Sequence, residues 1–412
     1  MASDATPGEQ TVTRADGLVL RSATAADAPG ILALSVAAHG ENDAGAVTYL
    51  LERPERWAVV MDGERVVSTA VLLDHEGRYG SVPLRFGQVE YVATDPAYRR
   101  RGLVRALFDH LHQRSADLGQ HLTVISGIPY FYRRLGYQYG LQYPPRYRIL
   151  DRTLAATDPW TVGPATSADV DALVRLHEAA HDAADLVTFR PRGDWEWLVS
   201  QAARHGEEVF VARRDGRVEG FGRLQRHPGA LVGRAELYEA AAESVEAGRA
   251  LLAHARRGEL GEDLAVVDRP GTPFSHALHG AGEPSQDYLA LYTRLPDPVG
   301  FLRHVRPALS QRLAASGFAG DRGTLTVSLY DRTILLPYDR GEVGEAAWGP
   351  AMEDPFEEGH AGVAPDSLDA LLLGRFGASG LDDRVDDVML GPDRPLLDVL
   401  FPALRADVPM TI

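Results

Sequence analysis

The sequence predicts an α/β protein built on mixed sheets, of the α+β kind, and three observations lead to this prediction. Helix-like and strand-like stretches alternate up to residue 296. Two pairs of apolar runs are each joined by a hairpin signal, Asp62-Gly63 and Asp215-Gly216. The order of elements is also repeated, since Ala37-Ala38-His39 returns as Ala179-Ala180-His181 at a constant offset of 142 positions, from 39 to 181. A repeat of this length indicates that one α/β unit has been duplicated.

The first copy follows a polar stretch of about fifteen residues that we interpret as a frayed tail. Thr24 is a suitable N-cap for a first helix, because its hydroxyl can accept a hydrogen bond from a free backbone N–H, and the helix ends near Gly40. Apolar alternation and helical spacing predict the elements that follow: strands 57–61, 65–72 and 85–94, a helix over 102–118, and a strand over 121–126.

The second copy keeps this order. Residues 164–169 echo residues 22–27, and the predicted elements that follow are strands 209–213, 218–224 and 235–238 and a helix over 244–256.

A third region of different character follows a linker at Leu295-Pro-Asp-Pro298. Its apolar tail over 400–412 is expected to be docked rather than free, because its composition favours burial. We therefore expect three domains, over 1–150, 151–296 and 297–412. The elements predicted for the third are a helix over 299–315, paired strands 324–330 and 333–338, and a helix over 367–376.

Composition narrows the function classes. The chain has 412 residues, 45% of them hydrophobic and 24% charged, and no stretch approaches the roughly 18 consecutive apolar residues of a membrane-spanning helix. The net charge of −16 argues against nucleic acid as a partner, because phosphate contacts need a basic face. The polar, acidic start Met1-Ala-Ser-Asp-Ala5 is unlike a secretory signal. We therefore expect a cytoplasmic protein with no nucleic-acid or membrane partner.

Two reactive residue types are missing. The sequence has Cys 0, which excludes disulfides, thiolate catalysis and cysteine-ligated metals. All 42 basic residues counted as Lys or Arg are arginine. The lack of lysine excludes a Schiff-base lysine and the phosphate loop that ends in Gly-Lys-Ser/Thr.

The strongest chemical signal is an arginine-rich turn within residues 92–105, between a predicted strand and a predicted helix. It reads Arg99-Arg100-Arg101-Gly102. A helix N-terminus presents unpaired backbone N–H groups and the positive end of the helix dipole, which together attract phosphate. Gly102 lets the backbone approach an anion closely, and the arginines add positive charge. The alternative is an ordinary basic helix cap on a solvated face.

In this setting the first copy resembles the GNAT family of acyl-CoA-dependent N-acetyltransferases. The family's turn has the form Arg/Gln-x-x-Gly-x-Gly/Ala, and Arg99 to Val104 match it except at the last position. The resemblance implies acetyl-CoA as co-substrate and no metal. It implies that the cofactor is held by residues of two strands and the turn: Val92, Ala93 and Thr94 on pantetheine, Arg100, Arg101, Gly102, Leu103, Val104 and Arg105 on the pyrophosphate, and Ser126 and Gly127 on the opposite strand.

A second segment, Val124-Ile-Ser-Gly-Ile-Pro-Tyr-Phe-Tyr-Arg-Arg-Leu-Gly-Tyr137, is similar to the Eis (enhanced intracellular survival) type of these enzymes. This resemblance implies two tandem GNAT-like mixed-sheet domains and a C-terminal domain like the sterol carrier proteins, whose tail reaches the active site. It also implies a homo-oligomer, a hexamer in that family. The acceptor would be a small molecule with a primary amine, such as an aminoglycoside, a polyamine or a lysine-like group.

The resemblance further implies the catalytic groups. The general acid maps to Tyr132, although one extra residue after Pro129 makes Tyr130 a rival. The general base would be the terminal carboxylate, here that of Ile412. Glu90 is the alternative base, since strand alternation predicts that it shares a face with Val92. We nevertheless favour the interpretation of Glu90 as a solvated carboxylate.

The reaction requires a base for the ammonium proton and an acid for the departing thiolate. A tyrosine with an ordinary pKa of about 10 can donate its proton to a thiolate whose conjugate thiol has a pKa of about 8.5. The absence of cysteine favours direct transfer to the amine. In the second copy, Glu239, Glu243 and Glu246 take the place of the arginines and would repel a pyrophosphate, so we expect only the first copy to bind acyl-CoA.

A competing motif, His177-Glu-Ala-Ala-His181, matches the zinc-protease signature. Two histidines four residues apart share one face of a helix and could bind zinc. His181 falls where the repeat places His39, so we interpret the segment as the first helix of the second copy and favour this over a metalloprotease. A catalytically inactive module that binds acyl-CoA or lipid is the remaining alternative function.

Overall fold

The computed structural model describes residues 11–149, 154, 159–225, 235–257, 264–285, 290–352 and 354–408. Strands and helices alternate in the first part of the chain. They are β1 (Val12–Thr13), β2 (Val19–Ser22), α1 (Ala28–His39), α2 (Ala44–Leu50), β3 (Trp57–Asp62), β4 (Arg65–Tyr79), β5 (Val82–Thr94), α3 (Leu103–Asp117), β6 (Leu122–Ile125), β7 (Gln138–Gln142) and β8 (Arg146–Ile149).

The middle of the chain has a similar alternation. Its elements are β9 (Thr161–Pro164), α4 (Val170–His181), β10 (Leu186–Thr188), α5 (Arg192–Gln201), β11 (Glu207–Arg214), β12 (Arg217–Gln225), β13 (Glu236–Ala242), α6 (Val245–Ala255), β14 (Ala265–Val267), α7 (Pro273–His279), β15 (Gly282–Pro284) and β16 (Ala290–Arg294).

The last part of the chain begins with its longest helix. Its elements are α8 (Pro298–Ala314), β17 (Arg322–Ser328), β18 (Thr333–Asp339), β19 (Glu342–Val343), β20 (Ala347–Gly349), β21 (Ala361–Val363), α9 (Leu368–Leu372), α10 (Ala378–Asp382), β22 (Val388–Met389), α11 (Arg394–Leu400) and β23 (Ala406–Asp407).

The strands of the described residues form three mixed sheets. The first has the order β1-β2-β3-β4-β5-β6-β16-β7, with β10 also paired to β4 and β23 paired to β10. The second has the order β15-β8-β14-β13-β12-β11-β9. The third has the order β19-β18-β17-β21-β22, with β20 on β18. The prediction of a mixed α/β fold is therefore confirmed.

Sheet membership does not follow chain order. Strand β16, from the end of the middle part, lies between β6 and β7 of the first sheet, where Tyr292 pairs with Ile125 on one side and Tyr139 on the other. Strand β8, from the first part, pairs with β14 in the second sheet. Strand β10 also belongs to the first sheet, so the described chain crosses between the two sheets four times, at β7–β8, β9–β10, β10–β11 and β15–β16.

The first sheet is covered on one face by α3 and on the other by α1 and α2. Leu107 and Phe108 of α3 pack against Leu72 and Val89. Ile31 and Val47 pack with Trp57 on the opposite face. The end of β4 at Tyr79 and the start of β5 share a single core with the third region. This core contains Phe86 of β5, Val305 of α8 and Leu325 of β17. Apolar burial, the dominant stabilising term in folding, is therefore continuous between these two parts of the molecule.

Several elements differ in length from the predictions. The strands expected over 65–72 and 85–94 are one long hairpin, because β4 runs to Tyr79 and β5 starts at Val82. Polar residues after Leu73 suggested a strand end, yet they lie beside β10, whose Val187 pairs with Arg78. The helix expected over 367–376 is reduced to α9, because the chain turns at Gly374 with φ +65°.

One buried carboxylate lies where the third region meets the first sheet. Asp369 of α9 accepts hydrogen bonds from the Thr293 hydroxyl at 2.8 Å and from the Leu295 backbone N–H at 3.2 Å. Its own backbone N–H donates to Gln138 at 3.2 Å. Burial raises the pKa of Asp369 to about 7. The protonated side chain is therefore the form that this interface favours.

This raised pKa predicts a pH-dependent stability. Between the unfolded pKa of about 3.9 and the folded pKa, the native protein holds a proton that the unfolded chain has lost, so the free energy of unfolding falls as pH rises through this range and levels off above it. Asp369→Asn should remove the effect and raise Tm at pH 8 by at least about 2 °C relative to the unmodified protein, with a smaller gap at pH 5. Thermal melts across pH 5 to 8 measure this.

The matched control is Asp366→Asn, three positions earlier, where the side chain is 65% exposed. It should leave the pH dependence unchanged. An unaltered slope of Tm against pH in Asp369→Asn would contradict the assignment.

Candidate active site

A β-bulge shapes the strand that precedes the arginine-rich turn. Thr69 pairs with Ala93 and Val71 pairs with Glu90, so β5 has one residue more than β4 across this interval. The backbone of Tyr91 takes a φ of +50° to accommodate it. A bulge of this kind bends its strand and re-aims the side chains beside it.

The bulge overturns the predicted orientation of Glu90. Val89 and Val92 both pack into the core beneath α3, whereas Tyr91 packs on the opposite face with the core around Trp57. Gln88 donates a hydrogen bond to Glu90, which places Glu90 on the Tyr91 side. Glu90 and Val92 therefore lie on opposite faces, because the extra residue breaks the period-two alternation on which the prediction depended.

The same bulge coincides with a separation of β5 from its parallel neighbour. The β5–β6 ladder covers Phe86–Leu122, Gly87–Thr123 and Gln88–Val124. Beyond Gln88, β5 continues to Thr94 and stays paired with β4, while β6 ends at Ile125. In the described part of the chain no strand pairs with β5 on its β6 side beyond Gln88. We call this gap the β5–β6 opening. Its narrow end lies at Gln88 and its wide end at Thr94.

The turn at the wide end leads into an uncapped helix. Gly102 is the N-cap of α3, with φ +74°, and its lack of a side chain leaves no cap hydrogen bond. The first intrahelical bond runs from the Ala106 N–H to the Gly102 carbonyl at 3.1 Å. The N–H groups of the first helical turn are therefore free of intrahelical partners, as an anion site requires. Three exposed arginines precede them, namely Arg99, Arg100 and Arg101.

The equivalent helix of the second sheet is capped. Ser244 precedes α6, and its side chain accepts from the Ala247 N–H at 3.1 Å. Glu246 adds a negative charge in the first turn. The expectation that Glu239 would repel a phosphate was wrong in its reason, because Glu239 is buried and its charge is balanced by Arg190 at 2.8 Å and Arg223 at 2.9 Å.

Tyr132 begins a short helical turn that follows β6, the strand that faces β5 across the opening. Its side chain is 6% exposed, and its ring lies 3.1 Å from the position that a Cβ on Gly127 would occupy. Phe108 and Tyr292 surround the ring with centroid distances of 5.8 Å and 5.6 Å. Burial, followed by the charge of Glu90, raises the pKa of Tyr132 to about 12. Within the described residues its hydroxyl has no hydrogen-bond partner, so it is available to a ligand.

Tyr130, the rival tyrosine, has a different environment. Its side chain is 69% exposed, and its backbone adopts a φ of +67°. The Tyr130 N–H donates to the Tyr292 hydroxyl at 2.6 Å, which pins the backbone while leaving the phenol in solvent. Ser126 is half-buried and Gly127 exposed at the start of this loop.

Glu90 is not the solvated carboxylate that we favoured from the sequence. It is half-buried, and it accepts a hydrogen bond from Gln88 Nε2 at 3.0 Å. Burial raises the pKa of Glu90 to about 7, and the charge of Asp43 contributes in the same direction. Its charge in turn raises the pKa of both Tyr132 and Tyr143. Glu90 and Tyr132 therefore belong to one electrostatic cluster near the narrow end of the opening.

The predicted cofactor residues lie along this same opening. Those on β5 are the half-buried Val92 and Thr94 and the buried Ala93; those at the turn are the exposed Arg100, Arg101, Gly102 and Arg105, the half-buried Val104 and the buried Leu103. Sequence reasoning missed Gln88 and Tyr292. Strand alternation could have linked Gln88 to Glu90, but nothing in the sequence indicated that β16 would cross into the first sheet.

The histidines of the zinc-protease motif make contacts within the protein. His177 Nδ1 lies 2.9 Å from Glu239 Oε1, and His181 Nε2 lies 3.6 Å from Asp407 Oδ2. Asp407 also forms a buried ion pair with Arg269 at 2.7 Å. Among the residues that the structure describes, no group of three or more His, Cys, Asp or Glu side chains is arranged to hold a metal ion. The motif face thus packs on the second sheet and on the C-terminal segment.

The remaining predicted site residue, Ile412, lies outside the described residues, which extend to Val408. The strand before it can be oriented. Strand β23 runs parallel to β10, which runs antiparallel to β4. The direction of β23 is therefore toward lower-numbered residues of β4, the part of that strand that pairs with Gln88 and Glu90.

Comparisons with known proteins agree with this geometry. Residues 19–140 match a family model described as an acetyltransferase (GNAT) domain. No curated protein sequence matches the chain.

Solved structures share the fold over most of the chain at low sequence identity. A GCN5-related N-acetyltransferase from Anabaena variabilis has a TM-score of 0.69 and 13% identity, covering 96% of this chain and 100% of its own. A GCN5-related N-acetyltransferase from Kribbella flavida has a TM-score of 0.64 and 21% identity, covering 95% of this chain and 97% of its own. Eis1 from Mycobacterium abscessus has a TM-score of 0.56 and 18% identity, covering 86% and 88%.

Within the described ranges, no helix combines the length and apolar character needed to cross a lipid bilayer. The matched domain implies the use of acetyl-CoA. Residues 19–140 carry a GNAT acetyltransferase domain, and this match together with the shared fold supports an acyltransferase.

The uncapped start of α3 can be tested with one substitution. Gly102→Asp places a carboxylate beside the free N–H groups, where it caps them and repels a diphosphate. We expect affinity for coenzyme A to fall at least about tenfold, which corresponds to about 1.4 kcal/mol. Isothermal calorimetry measures the dissociation constant.

The matched control is Gly119→Asp, just beyond the other end of α3. Both glycines have a positive φ, +74° and +66°, and neither has another group within 4 Å of the position that a Cβ would occupy, so the backbone strain is comparable. Equal losses of affinity in the two variants would contradict an anion site at Gly102.

Proposed function

We propose that this protein is an acetyl-CoA-dependent N-acetyltransferase that transfers the acetyl group directly to a primary amine. One observation carries the proposal. The β5–β6 opening has an uncapped, arginine-flanked helix N-terminus at its wide end, and Glu90 and Tyr132 near its narrow end. The anion-binding turn and Glu90 thus belong to β5 and the segment directly after it, and Tyr132 follows β6, the strand on the other side of the opening.

The coenzyme fits this arrangement as follows. Its diphosphate accepts from the free N–H groups of Leu103, Val104 and Arg105, with Arg100 and Arg101 adding positive charge. Its pantetheine arm pairs with the β5 edge at Val92, Ala93 and Thr94 as an additional strand would, because that edge has no partner among the described residues. The thioester then lies near Ser126 and Gly127, at the narrow end of the opening.

Glu90 is the base that the described residues support. The acceptor amine is a cation at neutral pH, since amines of this kind titrate near about 10.4, and it must lose a proton before attack. A carboxylate whose pKa is about 7 is a stronger base than an ordinary glutamate and is still largely ionised above neutral pH. Burial therefore suits Glu90 to this step.

Tyr132 is the proposed acid. Its pKa of about 12 keeps the phenol protonated at neutral pH, so an O–H is always available to the departing sulfur. The low polarity that raises the pKa of Tyr132 also destabilises a thiolate beside it, so the thiolate becomes a stronger base in the same place. The neutral amine nitrogen forms a bond to the carbonyl carbon, the carbon–sulfur bond breaks, and the sulfur takes the tyrosine proton. The proton that the nitrogen carries in excess then passes to the tyrosinate, which leaves the neutral amide, the free thiol and the restored phenol.

The terminal carboxylate of Ile412 is the alternative base suggested by the Eis resemblance. The direction of β23 supports it, since this strand runs toward the part of β4 that pairs with Glu90. Substitution of Glu90 separates the two candidates.

A cationic acceptor accords with the charge of the protein. The net charge is −16, and Asp43 and Glu90 both act on Tyr91 at the bulge. We propose an aminoglycoside, a polyamine or a lysine-like amine as the acceptor, because each presents a primary amine on a polycationic or cationic body.

We further propose an Eis-type architecture of two tandem GNAT-like domains and a domain like the sterol carrier proteins, over 1–150, 151–296 and 297–412. Parallel local structure supports the tandem. Thr24 and Asp27 form a capping box before α1, and Thr166 and Asp169 form the same box before α4. The homo-oligomer and the sterol-carrier likeness remain predictions of the resemblance, and the cytoplasmic location remains a prediction from composition.

The acid is tested by Tyr132→Phe, which removes only the hydroxyl. We expect kcat to fall by about 100-fold or more, with the dissociation constant of acetyl-CoA unchanged within about twofold, because general acid catalysis contributes about that factor. Tyr130→Phe is the matched control and should retain nearly full activity. Release of free thiol from acetyl-CoA, screened across polyamines and aminoglycosides, measures turnover. Coenzyme binding without thiol release from any amine would instead favour an inactive binding module.

The base is tested by Glu90→Gln, which keeps the size of the side chain. In the unmodified protein, kcat/KM should rise with pH around pH 7, because the ionised carboxylate is the active form and its pKa is about 7. In Glu90→Gln this rise of kcat/KM with pH should disappear, and kcat/KM should fall by at least about 100-fold. If Glu90→Gln keeps both the rise of kcat/KM with pH and the value of kcat/KM, Glu90 is excluded as the base and the Ile412 carboxylate is favoured.

A further inference from the structure

Two further side chains, those of Gln88 and His75, are linked to Glu90 by hydrogen bonds and have no part in the proposed chemistry. Gln88 Nε2 donates to Glu90 Oε1 at 3.0 Å, and Gln88 Oε1 lies 2.8 Å from His75 Nε2. Gln88 is 1% exposed and His75 is half-buried. The three side chains form one hydrogen-bonded chain along the face of β4 and β5 that carries Glu90.

The chemistry of these groups fixes the direction of the chain. An ionised carboxylate only accepts hydrogen bonds, so the Gln88 amide must turn its NH₂ group toward Glu90 and its oxygen toward His75. His75 must then carry its proton on Nε2 to donate to that oxygen. Burial lowers the pKa of His75, so the ring is neutral and its tautomer is set by this bond. Every bond in the chain is therefore directed toward the Glu90 carboxylate.

The sheet holds this chain rigidly. Gln88 and Glu90 are two residues apart on β5 and share a face, and Gln88 lies opposite Leu73 in the antiparallel ladder with β4. His75 is two residues further along β4, diagonal to Gln88. Gln88 is also the last residue of the β5–β6 ladder, paired with Val124. Its backbone is thus fixed on both sides at the point where the opening begins.

We propose that Gln88, supported by His75, is a positioning residue that holds the carboxylate of Glu90 at the narrow end of the β5–β6 opening. This inference rests on the proposed role of Glu90 as the base. Two fixed donors, the Gln88 amide and the Tyr91 backbone N–H, hold the half-buried carboxylate in one orientation.

The surrounding charges explain why this donor matters. Asp43 before α2 is the titratable group that acts on the pKa of Glu90. The charge of Glu90 in turn raises the pKa of three neighbouring tyrosines, namely Tyr91 on β5, Tyr132 after β6 and Tyr143 after β7. The titratable groups acting on His75 are Asp74, Arg56 and Asp194. Burial and Asp43 raise the pKa of Glu90, whereas the Gln88 amide and the Tyr91 backbone lower it. Loss of the amide therefore disfavours the ionised carboxylate.

The test measures the titration of the Glu90 carboxylate directly in the complete protein. Glutamate labelled with ¹³C at the side-chain carboxyl is titrated by NMR, and Glu90→Gln identifies the Glu90 signal by its loss. Gln88→Met should raise the midpoint of this signal by about one pH unit, the size of one charge-assisted hydrogen bond. The rising limb of kcat/KM, measured with acetyl-CoA and an amine acceptor active in the thiol-release screen, should move by the same amount.

Gln120→Met is the matched control. Gln120 is 5% exposed and donates to another carboxylate, that of Asp74, at 2.9 Å, so its loss carries a similar structural cost. It should leave the Glu90 midpoint unchanged. His75→Phe should move the midpoint partway, and His75→Gln, which can still donate to Gln88, should restore it.

An unchanged Glu90 midpoint in Gln88→Met would overturn the inference. Since the NMR titration needs no acceptor, it separates this failure from a failure of the proposed function. If the Glu90 midpoint does not move in Gln88→Met but Glu90→Gln is inactive, Glu90 remains the assigned base and only its positioning by Gln88 is refuted. A shifted midpoint with a fully active Glu90→Gln refutes the catalytic role of Glu90 and with it the positioning role.

Discussion

The separation of β5 from β6 beyond Gln88 is the constraint on which the rest of the site depends. Two parallel strands that stayed paired to their ends would satisfy each other's backbone and leave no edge for a ligand. Here the bulge at Tyr91 bends β5 while its other edge stays paired with β4, so the exposed edge is held rigidly. The free N–H groups of α3 lie at one end of this edge, and Glu90 lies near the other. Because of the gap, both can face the same ligand.

The second sheet provides an internal comparison within one chain. It also contains a bulge, between Arg223 and Leu224 opposite Tyr238, yet the helix after β13 is capped by Ser244. The face beside β13 is filled by a buried ionic cluster in which Glu239 meets Arg190 and Arg223. Asp407 of the C-terminal segment completes this cluster through Arg269. One sheet thus keeps free donors for a ligand, while its counterpart uses its polar groups for internal contacts.

Much of the fold could be predicted from the sequence, because the hairpins at Gly63 and Gly216 and the helix after Gly102 are specified by local signals. The crossing of β16 into the first sheet could not, since strand pairing over about 160 residues leaves no local pattern. At the site, the arginine-rich turn and Tyr132 could be named in advance. The environment of Glu90 could not, because a single bulge residue inverts strand alternation and because burial of a carboxylate depends on elements distant in sequence.

The most direct test of the coenzyme site is a calorimetric titration of the unmodified protein with coenzyme A. We expect one site per chain, because only the first sheet combines an open strand edge with an uncapped helix N-terminus among the residues that the structure describes. Absence of binding would contradict the assignment of the β5–β6 opening as the coenzyme site. Two sites per chain would contradict the distinction between the two sheets.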